Sequence, residues 1–418
     1  MNKHYIREIK IDKLRHLENI DIKLSDNEPK HLLLTGKNGS GKTTTLNAIK
    51  DWLRCIQTNS IEAIRIWKRN IETLSKQLDN ENDVEKRLYL EHKIDENYLN
   101  INNYANGSLD LKFSGDENNL VDLYKNGKFI LAYYGANRKT EVQVPVGVEK
   151  VNLKDVYSLE ESPSNIFIKY LVDLKTQQSF ARNENDINVV ENIDSWFNRL
   201  ENAFKTILDD ESIRLKFNYR NYNFSIIQEG REPYSLNELS DGYSSIINII
   251  SDLILRMDKN RASEEKNYSF DIEGIVLIDE LETHLHIELQ KKILPFLIEF
   301  FPNIQFIVTT HSPFVLNSIE DAVVYDLEKN IRLENLSNFS YEGIVEGYFD
   351  VDNYSKELKE KISEYRKLVL KDFLSEDERA RRAELRIEIK NASNDLAMEL
   401  KAEFNEIENL RRKDKWLK

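Results

Sequence analysis

The sequence predicts an α/β fold, and three observations carry that prediction. An apolar run, His31-Leu32-Leu33-Leu34-Thr35, leads into Gly36-Lys37-Asn38-Gly39-Ser40-Gly41-Lys42-Thr43, and a helical segment, Thr44 to Leu53, follows. A second apolar run, Gly274 to Ile278, ends in two acids, Asp279 and Glu280. A third, Phe306 to Thr310, ends in His311. Strands that end in polar residues and alternate with helical segments argue for a parallel sheet with its chemistry at the strand tips.

The first run has the spacing of a phosphate loop, Gly-x-x-x-x-Gly-Lys-Thr, in the strand–loop–helix setting that gives the motif meaning. Its glycines let successive N–H groups turn inward around a phosphate chain, and the helix N-terminus adds partial positive charge. The candidate nucleotide-binding residues are Gly36, Asn38, Gly39, Ser40, Gly41, Lys42, Thr43 and Thr44. Lys42 is placed to reach the β- and γ-phosphates, and the Thr43 hydroxyl to ligate Mg²⁺. The expected ligands are ATP and Mg²⁺.

Residues 4 to 25 alternate as strands, Tyr5 to Ile11 and Ile20 to Leu24. Apolar residues at Ile64, Trp67, Ile71, Leu74 and Leu78 predict a helix. A polar break at Asp79 to Asp83 precedes a second helix with Val84, Leu88, Ile94 and Tyr98 on its stripe. Residues 59–100 are therefore expected to form a short coiled-coil hairpin inserted into the core. Residues 108 to 134 read as strands with a turn at Asn126-Gly127, and 161–212 as a helical lobe. Ile213 to Ile227 alternates again around Arg220-Asn221. The expected divisions are 1–58 with 101–160 as the first part of the core, 213–335 as its second part, and 336–418 as a helical tail.

The 418 residues carry 59 Lys and Arg against 73 Asp and Glu, a formal charge of −14. That balance argues against a globally basic nucleic-acid binder but leaves room for a local basic groove. No apolar run approaches the ~18 residues of a membrane span, and the N-terminus has no apolar signal core, so a cytoplasmic protein is expected. The single Cys55 excludes an internal disulfide or a multi-cysteine zinc site.

Between the phosphate loop and the acids lies Leu239-Ser240-Asp241-Gly242-Tyr243, opening the apolar helix Ser244 to Met257. Ser240 and the Gly242 backbone make a second anion site at a helix N-terminus. If the two sites lie far apart in one fold, a two-fold dimer lets each chain cap the nucleotide of the other.

Phosphate loop, Leu-Ser-Asp-Gly, Asp-Glu strand and strand-end His, in that order, resemble the ABC-type ATPases. The resemblance implies an ABC-ATPase head: a RecA-like core, an antiparallel β subdomain and a helical lobe. It makes Asp279 the Mg²⁺-associated acid beside Thr43, Glu280 the catalytic glutamate, His311 the switch histidine, and Lys42 the third catalytic group. Ser240 and Gly242 match the signature that completes a partner's site, with Asp241 and Tyr243 departing from the transporter pattern. For the glutamine-bearing loop, Asn137, Arg138 and Gln143 stand as alternatives.

Glu282-Thr283-His284-Leu285-His286 and Thr309-Thr310-His311-Ser312-Pro313 resemble a narrower group, the OLD-like ATPases, which include the ATPase subunits of the Septu and PARIS antiphage systems. That resemblance implies a homodimer or higher homo-oligomer regulating a separate nuclease effector. All seven histidines lie at or before His311, so residues 312–418 offer no histidine-dependent nuclease centre. Asp350 and Asp352 are read as a helix-start cap, not a metal site. Two rivals remain: an SMC- or RecF-like ATPase acting on DNA, favoured by the hairpin and disfavoured by the charge, and a transporter subunit, which the helical tail disfavours.

Overall fold

The computed structural model describes residues 3–105, 108–138, 142–261, 272–333, 336, 356–371, 373–392, 404, 406–408 and 411. The chain divides into two compact units, 1–339 and 340–418.

The first unit begins with an antiparallel pair, β1 (Ile6–Leu14) and β2 (Leu17–Lys23), whose alternation buries Ile6, Ile9, Ile11, Ile20 and Ile22. The apolar β3 (His31–Thr35) delivers the phosphate loop to α1 (Lys42–Thr58). Helices α2 (Ile61–Asn80) and α3 (Val84–Asn102) form the expected hairpin, with Asp83 Oδ1 capping α3 by accepting from Glu85 N at 3.0 Å and Lys86 N at 3.1 Å. The stripe expected on α3 is not the buried one. Val84, Leu88 and Tyr98 are 71%, 60% and 45% exposed, and of the expected stripe only Ile94 is covered; the partly or fully covered positions are Arg87, Leu90, Lys93, Ile94, Glu96, Asn97 and Ile101. Within it Leu90, Ile94 and Ile101 recur at helical spacing beside Arg87 and Asn97, so the stripe that begins at Leu90, not the one that begins at Val84, faces α2.

Residues 108 to 134 are not all strand. Between β4 (Leu109–Phe113) and β5 (Phe129–Tyr134) lies α4 (Glu117–Lys125). Asp116 caps it through Asn118 N at 3.0 Å, and Leu120, Val121 and Tyr124 face the core at helical spacing. The helical region follows as α5 (Phe167–Asn183) and α6 (Ile187–Leu208). A small antiparallel sheet comes next, β6 (Arg214–Asn218), β7 (Asn223–Ile227) and β8 (Tyr234–Ser235), and then α7 (Asp241–Arg261).

The remaining core elements are β9 (Glu273–Ile278), α8 (Ile287–Phe300), β10 (Ile304–Thr309), α9 (Pro313–Leu316), β11 (Ala322–Asp326) and β12 (Ile331–Leu333). The central sheet has the order β12-β11-β3-β10-β9-β5, parallel except for β12. Every residue of β10 is buried, as expected of a strand covered on both faces. With the β1–β2–β4 sheet and the helical region, this is the architecture expected of an ABC-type head. Because β10 runs between β3 and β9, three polar strand ends meet at one edge.

The second unit contains α10 (Lys356–Val369) and α11 (Glu376–Ala392). Ile362, Tyr365, Val369, Leu385 and Ile389 form its own apolar cluster with Phe404 and Ile407. Asp350 and Asp352 lie outside the described residues.

Candidate nucleotide site

The loop after β3 turns through backbone conformations that favour glycine, with φ of +131° at Gly36, +85° at Gly39 and +96° at Gly41. A side chain at Gly41 would also meet Leu17 Cδ1 at 2.8 Å, so the loop is packed against the turn joining β1 and β2. Lys42 is buried and curls over the loop, its Nζ donating to the Gly36 carbonyl at 2.9 Å and the Lys37 carbonyl at 3.1 Å. Burial pulls the Lys42 ammonium below its usual range, against the pull of Glu280, Glu282, Asp279 and Asp326. The Ser40 hydroxyl is buried with no hydrogen-bond partner among the described residues. Cavities of about 440 Å³, beside His16 and Lys37 to Ser40, and about 760 Å³, beside Thr43, Thr44 and Asn47, flank the loop. Each is of ligand size.

The two other strand ends come to the same place. Thr43 Oγ1 donates to Asp279 Oδ1 at 3.1 Å, joining the start of α1 to the end of β9. Thr309, the last residue of β10, donates to the same Asp279 oxygen at 2.6 Å and accepts from Glu280 N at 2.8 Å. Glu280 sits at φ +48°, unusual for a residue with a side chain, and its Oε2 accepts from Thr283 Oγ1 at 3.3 Å. His311 N donates to Glu282 Oε1 at 2.5 Å. Burial first and Lys42 second hold the His311 ring below its ordinary range, so it is neutral at pH 7.

Lys42, Thr43, Asp279, Glu280 and His311 thus gather at one edge of the sheet. Asn38, Gly39 and Thr43 are exposed there, and Thr44 is half-buried. Ser240 precedes α7, is exposed, and accepts from Ser244 N at 2.9 Å. Gly242 is buried against the loop after the acids: a Cβ there would lie 2.4 Å from the His284 carbonyl oxygen. That close approach is a packing reason for glycine.

Of the three alternatives for the loop after β5, Asn137 and Gln143 are exposed and Arg138 is buried. The Arg138 guanidinium donates to the carbonyls of Gly135 (3.2 Å), Asp279 (2.7 Å), Glu280 (2.9 Å) and Leu281 (3.4 Å), and its Nε to Ser245 Oγ at 2.8 Å. Burial pushes its pKa down to about 10. In the sequence Thr309 and Glu282 stand only as members of the Thr309-to-Pro313 and Glu282-to-His286 motifs; the bonds by which Thr309 ties Asp279 to Glu280 and Glu282 holds His311 N have no signal there.

The donors fit the expected ligands. An orphaned hydroxyl and inward-turned glycines suit a phosphate chain, and the Thr43 and Asp279 oxygens suit a hard divalent cation. Among the described residues no cluster of three or more His, Cys, Asp or Glu could hold a metal alone, so phosphate oxygens and water would complete the set.

A family model described as "AAA domain, putative AbiEii toxin, Type IV TA system" matches residues 32–317, from β3 through the strand-end histidine. The chain belongs to this family. It therefore carries an AAA-type domain and is an ATPase, and ATPase activity is what the motifs predict. The Septu protein PtuA of Bacillus mycoides (strain KBAB4) is 30% identical over 82% of the chain and 44% of its own length. The PtuA of Bacillus thuringiensis is 25% identical over 80% of each chain. A "Retron Vc95 probable ATPase" of Vibrio cholerae is 25% identical over 75% of this chain and 72% of that one. The chain spans less than half the length of the B. mycoides relative. An SMC head bound to the ScpA winged-helix domain overlays at a TM-score of 0.38 with 10% identity, across 80% of this chain and all of that one, too loosely to add to the fold described above. No helix among the described residues is long and apolar enough to cross a membrane.

Proposed function

We propose that this AAA-family domain is an ATP-dependent switch that regulates a separate effector, a nuclease, in antiphage defence. Two copies sandwich ATP, with Lys42, Thr43, Asp279, Glu280 and His311 supplied by one chain and Ser240 and Gly242 by the other. The observation that carries the reading is the meeting of the loop after β3, the acids after β9 and His311 after β10, while Ser240 stands exposed at the head of α7.

The residues divide the work. Lys42, already desolvated, exchanges its two carbonyl partners for phosphate oxygens. Glu280 orients and deprotonates the attacking water, and Thr309 holds the Glu280 backbone and Asp279 in register. Neutral His311 donates a hydrogen bond toward the γ-phosphate. A bound Mg²⁺ would neutralise phosphate charge, held by Thr43 and Asp279. Closure of the sandwich couples occupancy to shape, and hydrolysis reopens it.

The PtuA and retron ATPase relatives support the defence setting, and the 340–418 unit, with its own apolar cluster, is the candidate effector-docking element. Glu280→Gln should lower turnover by about 10²–10⁴-fold and accumulate an ATP-filled dimer, read by native mass. Unchanged turnover would sink the site assignment. Purification of the full chain from its host in ATP, with and without 340–418, tests the effector: a stoichiometric nuclease lost on deletion supports it, whereas a bare dimer retained only with DNA favours an ATPase acting on DNA.

A further inference from the structure

The buried cation Arg138, one of the three alternatives for the loop after β5, has no part in the nucleotide or catalytic roles proposed above, yet it touches two of the regions they use. Its two terminal nitrogens are spent on the main-chain carbonyl of Gly135 and on those of Asp279, Glu280 and Leu281, the segment that carries Glu280 at positive φ. Its Nε is spent on Ser245, one turn into α7. A second tie runs in parallel. Val142 N donates to Asn237 Oδ1 at 3.1 Å, and Asn237 Nδ2 returns to the Val142 carbonyl at 3.0 Å, just before Ser240. Residues on both sides of the Leu239-to-Tyr243 segment are therefore bonded to the stretch that follows β5.

A guanidinium is a rigid planar fork, so its Nε and its terminal nitrogens cannot be re-aimed independently. If α7 shifts, Ser245 either drags the fork, and the three carbonyls lose their common donor, or abandons it, and the fork loses the bond that fixes its plane over them. Left-handed backbone at a residue with a side chain persists only where surrounding contacts impose it. We propose that Arg138 is a positioning residue that makes the placement of the Glu280 carboxylate conditional on the seating of α7, so that the turnover chemistry of one chain responds to what its own Ser240 end contacts. This deepens the ATP-sandwich reading and rests on it.

The test uses the full chain with Mg²⁺ and ATP. Arg138→Lys keeps the charge and removes the fork; Ser245→Ala leaves the carbonyl bonds intact and cuts only the link to α7. Both should lower kcat with KM and the affinity for a fluorescent ATP analogue unchanged, Arg138→Lys by about 10²-fold and Ser245→Ala by less. The double variant should be no slower than Arg138→Lys, because both remove one linkage. Wild-type kcat in Ser245→Ala overturns the proposal, as does a loss of kcat in either variant that only follows a rise in KM and a lowered melting temperature. If Arg138→Lys does not fold, Ser245→Ala decides alone. The sandwich reading fails separately, through unchanged turnover in Glu280→Gln.

Discussion

Two regions of the first unit hold their polar groups in opposite ways. At the strand tips, Thr43, Asp279, Thr309 and Arg138 come from distant parts of the chain and bond to the same short acid-bearing segment. In the hairpin of α2 and α3, the helices meet along a mixed stripe, and the far face of α3 leaves Val84, Leu88, Tyr89 and Leu99 exposed. The base of the hairpin is tied to the core by charge: Arg65 binds Asp110 and Glu117, each at 2.5 Å, and Lys68 reaches Asp110 at 3.0 Å. The difference is one of tolerance. A buried polar network fails when one partner is removed, because the others are left desolvated, whereas a solvated helix face loses little.

The largest expected effect is acid sensitivity of the sheet. His31, at the start of β3, accepts from Phe306 N through Nδ1 at 3.1 Å, and burial lowers its pKa to about 4. The unfolded chain therefore binds this proton more readily than the folded one. Stability from the neutral ring is complete above about pH 6.5 and is lost as pH falls toward 4, an effect of about 3 kcal/mol. Urea melts between pH 7 and 4 should show it, and His31→Asn should flatten the profile; an unchanged slope would refute the assignment.

Next comes Thr309→Val, which keeps the shape of β10 but strips Asp279 and Glu280 N of their shared hydroxyl. We expect a loss of about 1–3 kcal/mol in stability, with a fall in kcat that exceeds any change in nucleotide affinity. Equal kcat and stability to wild type would show that the strand-tip network is redundant.

The hairpin supplies the smaller contrast. Ile71→Ala, on the covered face of α2, should cost about 2 kcal/mol, while Leu88→Ser on the outer face of α3 should stay within about 0.5 kcal/mol. Both are read by thermal melts. A Leu88→Ser loss as large as that of Ile71→Ala would mean that the outer face is covered in solution.

Much of this was legible before any coordinates. The strand–loop–helix order around Gly36 to Thr43, the acids closing β9 and the histidine after β10 are local patterns, because an apolar strand and its polar tip are contiguous in the chain. The misreadings were also local. Val84 and Leu88 suggest a stripe that α3 turns outward, because Leu90 and Ile94 take the inner face and the stem of Arg87 and the Asn97 amide cover it beside them. Helix α4 reads as strand from sequence because its short apolar set, Leu120, Val121 and Tyr124, does not distinguish the two periods without the Asp116 cap.

The amino-acid sequence by itself determined the phosphate loop, the identity and order of the strand-end groups, and the glycines whose backbone angles the loop needs. Those follow from residue chemistry and spacing within one segment. The tertiary structure alone decided that β10 lies between β3 and β9, that Thr309 links Asp279 to Glu280, that Gly242 is pressed against His284, and that Arg138 rather than Asn137 or Gln143 grips the acid-bearing loop. Strand order and the partners of a buried guanidinium are long-range choices, settled by which carbonyls are left without donors when the sheet closes.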